Sequence, residues 1–121
     1  MRALVVEPQA FTSFMIEDAL KDAGFSSVSL ATSEEEAVAL AEADPPDLVA
    51  VAVELRSGNG IRAVEQIRSK ADPSVLYITE QVAEVRRTDP DAVIVKKPFV
   101  ASHLPPAIAE ARRRRRRTSA R

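Results

Sequence analysis

The chain has no cysteine in its 121 residues, so neither a disulfide framework nor a thiolate metal site is available, and a reducing compartment is compatible with it. Histidine occurs once, as His103, in the first turn of the last expected helix, where an exposed imidazole is a surface residue rather than a phosphate acceptor. Of only three glycines, Gly58 and Gly60 stand together; they lack the lysine and the strand-to-helix spacing of a phosphate-binding loop, and read as loop glycines. No apolar stretch reaches the roughly 18 residues of a membrane span. The opening Met-Arg-Ala-Leu-Val-Val-Glu is too short an apolar run for a signal peptide, which makes a cytoplasmic location the expectation. No nucleophile–base pair and no metal-ligand cluster stands out, so an enzyme is the least favoured class.

What is present is ordinary for one globular domain with one core: 45% hydrophobic and 29% charged residues. The stretch that organises the chain is Asp47-Leu48-Val49-Ala50-Val51-Ala52-Val53. Six apolar residues without alternation describe a strand buried on both faces, the inner strand of a parallel sheet covered by helices. Asp44-Pro45-Pro46 stops what precedes it, and the polar segment 54–60 follows. In open α/β sheets the chemistry lies beyond the carboxyl ends of the strands, here at 52–60.

Taken in order, residues 3–6 read as a second buried strand. Phe11, Met15, Ile16, Ala19, Leu20 and Ala23 then recur at helical spacing, with Gly24 as the stop. Residues 27–31 alternate and suit an edge strand. Ser33 with Glu36 forms a capping box for a helix through Ala43, whose apolar face is Ala37, Val38, Leu40 and Ala41. Ile61, Val64 and Ile67 outline a third helix, 75–79 a fourth strand and 92–95 a fifth. The segment 80–91 between those strands has room for about two turns of helix. The last helix starts between Ser102 and Pro106, where prolines are tolerated in the first turn, and runs into the arginines. Strands alternating with helices predict a doubly wound five-stranded parallel sheet with helices on both faces and a short fourth helix.

The net charge of −1 conceals a segregation. The last ten residues hold seven arginines and no acid, leaving residues 1–111 with ten basic against eighteen acidic side chains, a body at −8. The run Arg112, Arg113, Arg114, Arg115, Arg116 and Arg117 has three readings: a solvated helix end favoured by the dipole, a contact to nucleic acid or an anionic membrane, or a frayed tail. Six consecutive arginines go round every face of a helix, which excludes an amphipathic membrane helix with one basic side.

Leu-Val-Val-Glu at 4–7, Asp-Leu-Val-Ala-Val-Ala at 47–52, Leu-Tyr-Ile-Thr at 76–79 and Val-Lys-Lys-Pro-Phe at 95–99 resemble, in order and spacing, the receiver domain of bacterial two-component response regulators. The resemblance covers residues 2–111, leaving 112–121 as an arginine-rich tail. It implies a flavodoxin-like fold that accepts a phosphoryl group from a sensor histidine kinase onto an aspartate after the third strand, with Mg²⁺ held by that aspartate and an acidic pair after the first. Glu7 matches the first acid of the pair, but Pro8 stands at the second. Ala52 occupies the acceptor position. Thr79 matches the hydroxyl residue and Lys97 the lysine that contact the phosphoryl group, while Ile94 replaces the aromatic switch residue and Arg56 a loop proline.

Alanine has no nucleophilic atom, so an acyl phosphate cannot form at 52. Glu7 beside Pro8 and Ala52 is a poor Mg²⁺ cage, and weak or absent binding is expected. Glu54 is expected as a loop carboxylate paired with Lys97 or with solvent rather than as a substitute acceptor. Lys97, ahead of Pro98 in an extended or cis peptide, is either a structural relic or a charge partner. Phe11 and Phe14 cannot share one narrow helical stripe, so either one stays exposed as an anchor or both are partly buried over the sheet. Two function classes stand: a receiver-like module of a phosphorelay that binds a signalling protein, a histidine kinase or regulator, or a second copy of itself; and a nucleic-acid-associated protein working through its tail.

Overall fold

The computed structural model describes residues 1–119, with side chains through Arg114. Five parallel strands, β1 (Arg2–Val6), β2 (Ser27–Ala31), β3 (Leu48–Val51), β4 (Ser74–Thr79) and β5 (Val93–Lys96), lie in the order β2-β1-β3-β4-β5. The helices α1 (Ala10–Asp22), α2 (Glu34–Ala43), α3 (Gly60–Arg68), α4 (Val82–Thr88) and α5 (Leu104–Ser119) cross over between and after them. β3 is central and buried at every position, as its unbroken apolar run requires. Its even residues face one side and its odd residues the other. Leu48 and Ala50 join α1 and α5 through Ile16, Leu20, Leu104 and Ile108; Val49 and Val51 join α2, α3 and α4 through Ala37, Val64 and Val85. Each such aliphatic side chain removed from water contributes about 1.5–3 kcal/mol, and a two-sided strand collects this on both faces.

Several local expectations shift. β3 ends at Val51 rather than Val53, and β5 begins at Val93 rather than Ala92. Phe11 is not on the buried face of α1: Ser13, Ile16 and Leu20 point inward, while Phe11 is 77% and Phe14 54% exposed. The phase of the helix is fixed by Ile16 and Leu20, one turn apart, and these rotate Phe11 outward. In the α2 cap, Ser33 accepts from the Glu36 amide, but the Glu36 carboxylate reaches one residue further back, to the Thr32 amide at 2.9 Å. α1 closes on Gly24 (φ +102°), whose left-handed backbone lets the Phe25 amide return to the Leu20 carbonyl. His103 lies in a 3₁₀ turn (Ala101–His103) just ahead of α5, where its Nδ1 accepts from the Val100 amide. α4 has seven residues, the two turns that so few apolar positions allow.

Candidate functional site

With β1 and β4 on either side of β3, the chain reversals after these strands meet at one edge of the sheet. The β1 and β3 strands part from one another there, one leading to α1 and the other to α3 on opposite faces, which opens a crevice. Val6 pairs with Val51 in register and the Ala52 amide donates to the Val6 carbonyl, so Glu7 and Ala52 are side by side. Thr79 closes β4 and is in register with Lys96, and the Lys97 amide donates to the Thr79 carbonyl. Sequence reasoning placed Glu7, Pro8, Ala52, Glu54, Thr79 and Lys97 at one site, and all six line a cleft of about 360 Å³ together with Arg56 and Gln81.

The buried carboxylate of the cleft is paired within it. The Lys97 ammonium lies 2.9 Å from Glu7 Oε1, and the Gln9 amide donates to Oε2 at 3.0 Å. The Glu7 side chain is 1% exposed, so both oxygens exchange water for a cation and a peptide dipole, the condition under which a carboxylate tolerates burial. Lys97 is therefore a charge partner, and its partner is Glu7, not Glu54. The reason is the early end of β3: beyond Val51 the chain turns away, and exposed Glu54 makes an isolated antiparallel bridge with Asn59. Thr79 is buried, its Oγ1 accepting from the Gln81 amide at 2.9 Å. Ile94, in register with Tyr77, packs half-buried against the α2–α4 side of the core. The Lys97–Pro98 peptide is cis.

The segment after β3 is held by a residue that sequence reasoning missed. Glu34, in the first turn of α2, accepts at Oε1 from the Asn59 amide (2.9 Å) and Arg62 Nε (3.2 Å), and at Oε2 from Gln66 Nε2 (2.6 Å). The Asn59 amide, with help from Arg62 and Gln66, holds the Glu34 carboxyl below the usual carboxylate range against the opposing effect of burial. Its partners are 25, 28 and 32 residues away, and no local pattern signals them. Gly58 is pressed against the Glu34 side chain at φ +85°, and a Cβ on Gly60 would fall 1.8 Å from the Ala52 carbonyl oxygen.

A family model for the response regulator receiver domain matches residues 3–109. The chain belongs to that family. It is 34% identical over 112 residues to the transcriptional regulatory protein PdtaR of Mycobacterium tuberculosis, an alignment covering 88% of this chain and 54% of that protein. It thus spans about half the length of that regulator. It is also 34% identical over 77 residues to the chemotaxis protein CheY of Thermotoga maritima, covering 64% of this chain and 63% of the other. Among solved structures, the receiver domain of PhyR from Erythrobacter litoralis superposes with a TM-score of 0.81 at 28% identity, covering 91% of this chain and 88% of that one. PhyR from Brucella abortus gives 0.85 at 25%, covering 98% and 50%.

Against the receiver pattern, the Mg²⁺ that the family implies finds a thin donor set. Glu7, the carboxylate set beside Ala52 by the β1–β3 register, has both oxygens taken, by Lys97 and the Gln9 amide. Among the described residues no three His, Asp or Glu side chains converge as a metal set. The arginine run divides in two. Arg112 turns back on the body, its guanidinium 5.2 Å from the centre of the Phe25 ring, and Arg113 and Arg114 both pair with Glu110. The side chains of Arg115, Arg116 and Arg117 lie outside the described residues. No helix among the described residues is long and apolar enough to cross a membrane.

Proposed function

We propose that this receiver domain is a signalling module that takes no phosphoryl group at the end of β3 and works by holding a protein partner on a constitutive surface. The observation that carries the reading is the methyl group of Ala52 where the family's acceptor carboxylate stands, beside a Glu7–Lys97 pair that leaves neither charge for an incoming ligand. Mg²⁺ has no seat, since a near-octahedral oxygen shell needs carboxylates free to coordinate, and Glu7 would have to abandon Lys97 to contribute. With no phosphorylation event and with Ile94 in place of a hydrogen-bonding aromatic, nothing distinguishes two states of the domain, and a ligand without differential affinity shifts no equilibrium. No reaction of its own is assigned to the domain; it acts in the cytoplasm.

The surface proposed for the partner is the outer face of α1 with the neighbouring β5–α5 connection. Apart from Met1, the large exposed apolar side chains among the described residues are Phe11, Phe14 and Val100. Exposed aromatics of this kind are the usual anchors of protein interfaces, and the partner is a sensor kinase or regulator of the same signalling system. The test is incubation with acetyl phosphate and Mg²⁺, read by intact mass and thermal unfolding. Neither should change for the native chain. A gain of one phosphoryl group, at Glu54 or elsewhere around the cleft, overturns the reading.

A further inference from the structure

A cavity of about 920 Å³, more than twice the cleft beside Ala52, opens at the other end of the sheet, where β4 and β5 begin. A volume of this order holds a small organic molecule. Its apolar lining is the margin of the core, since Pro73, Val75, Ala92 and Ala111 are all buried there. Between Pro73 and Val75 stands a polar residue. Ser74 is 4% exposed and shares a face of β4 with Leu76 and Ile78, which pack on α5, so its side chain is turned towards the α5 wall of the cavity. Its amide donates to the Asp47 carbonyl at 2.9 Å, but its hydroxyl has no partner among the described residues. A hydroxyl so buried takes its partner from whatever fills the cavity. The charged rim has a sign. Asp72, Asp89 and Asp91 stand there against Arg68 and Arg114, and both arginines are already engaged, Arg68 with Asp89 at 3.6 Å and Arg114 with Glu110 at 3.4 Å. Asp91 is exposed and has no ion-pair partner among the described residues. Arg68 ends α3 and Thr88 ends α4, so two helices also bring the negative ends of their dipoles to this rim. Counted back along the register from Leu76 and Val93, Asp91 falls opposite Ser74, which puts a carboxylate and a hydroxyl on neighbouring segments of one wall.

We propose that this cavity binds a small organic ammonium ion, a compound that carries one charged amine on an apolar body such as an aromatic ring. The Asp91 carboxylate and the Ser74 hydroxyl accept hydrogen bonds from the amine, and the apolar body lies against Val75, Ala92 and Ala111. An anion does not match, because both arginines of the rim are spent on carboxylates. A bare divalent cation does not match either, since no three acids converge as a metal set among the described residues. A ligand here touches the ends of α3 and α4 together with α5, and by binding only the folded chain it stabilises it by mass action. The cavity stands apart from the cleft beside Ala52, so its test does not depend on whether that cleft takes a phosphoryl group.

The test uses the full chain with phenethylamine and phenylacetate, which share a ring and differ in the sign of their charge. Binding is read from amide chemical shifts and from thermal unfolding. Phenethylamine at millimolar concentration should give saturable shifts centred on residues 68–75 and 88–93 and should raise Tm, and phenylacetate should do neither. Asp91→Asn and Ser74→Ala each remove one acceptor, so each should weaken phenethylamine binding about fivefold, the equivalent of one ordinary hydrogen bond. Both variants should unfold near the native temperature when no ligand is present, because Asp91 is exposed and the Ser74 hydroxyl has no partner to lose. The proposal is overturned if phenethylamine gives no saturable shift, if its shifts centre on the cleft beside Ala52, if phenylacetate binds as tightly, or if either variant binds phenethylamine as the native chain does.

Discussion

Removing the Lys97 ammonium should cost more than removing the Glu7 charge it meets, although the two belong to one ion pair. Lys97→Met leaves a carboxylate that is 1% exposed with a single remaining donor, the Gln9 amide. Stranding one member of a fully buried pair costs about 3–5 kcal/mol. Lys97 is 23% exposed and the cleft is open to water, which lowers the expected loss to about 2–3 kcal/mol, or a fall in Tm of roughly 10 °C for a domain of this size. Glu7→Gln strands a lysine instead, and a lysine can swing its flexible stem until the ammonium is hydrated; about 1 kcal/mol is expected. The double variant should lose less than the sum of the two, by about 1–2 kcal/mol, because the second substitution removes the group the first left unpaired. Urea unfolding of the four proteins measures all three values. A loss below about 0.5 kcal/mol in Lys97→Met, or a larger loss in Glu7→Gln than in Lys97→Met, would refute the account of the cleft as internally neutralised.

Gly60→Ala should lose about 3 kcal/mol or more, since the added carbon meets a backbone oxygen at 1.8 Å and only a shift of the 54–60 segment makes room; a chemical denaturation curve like that of the native protein refutes this. Glu34→Gln should lower stability at neutral pH by about 1–2 kcal/mol. Because the folded carboxyl titrates below its unfolded value, that difference should be full above the ordinary glutamate value of about 4.3 and vanish as pH falls through the folded one. Denaturation curves from pH 3 to 7 read it directly, and a gap that persists in acid contradicts the assignment. Burial pushes the Tyr77 phenol up to about 12, so stability should decline as pH rises from the unfolded value of about 10 towards 12, by up to about 2–3 kcal/mol; Tyr77→Phe should abolish this alkaline decline, and an unchanged alkaline profile would count against it. Phe14→Ser, at a half-exposed position, should alter stability by less than about 1 kcal/mol while abolishing partner binding or self-association. A large stability loss with association unchanged would place Phe14 in the core and the interface elsewhere.

How far the sequence could be read depended on whether each feature was local. β3 was legible because burial on both faces writes an unbroken apolar run, and β2 as an edge because its faces differ. α4 was legible as short because 80–91 offers little besides Val82 and Val85 to bury. Phe11 misled because it falls at helical spacing with Met15 and Ile16, whereas the phase of α1 was set by Ile16 and Leu20, with Ser13 rather than Phe11 buried in the first turns. At the site, the positions of Glu7, Ala52, Thr79 and Lys97 followed from strand ends brought together by the resemblance. The pairing of Lys97 did not follow. Glu7 is 90 residues away in sequence, and choosing between it and Glu54 required knowing where β3 stops. Glu34 could not be found at all, because its partners come from a loop and a helix whose approach to α2 is a product of packing.

The residues of the cleft are held by different forces, which explains how a receiver can remain so complete around an alanine. Gly60 is fixed by the backbone oxygen of residue 52, a contact that is indifferent to the side chain there. Glu7 and Lys97 are fixed by each other, since without Lys97 the 1% exposed Glu7 carboxylate would be a buried charge without a counter-ion. Thr79 spends its hydroxyl on the Gln81 amide and so caps the turn after β4 whether or not a phosphoryl group ever arrives. Glu34 holds the 54–60 segment from α2 without touching the acceptor position. Each of these has a structural task that does not depend on the side chain at 52. A carboxylate at 52 would sit beside Glu7 and compete with it for one lysine, a repulsion that a bound divalent cation would relieve. With alanine at 52 that competition does not arise, and Glu7 and Lys97 balance each other's charge in the cleft.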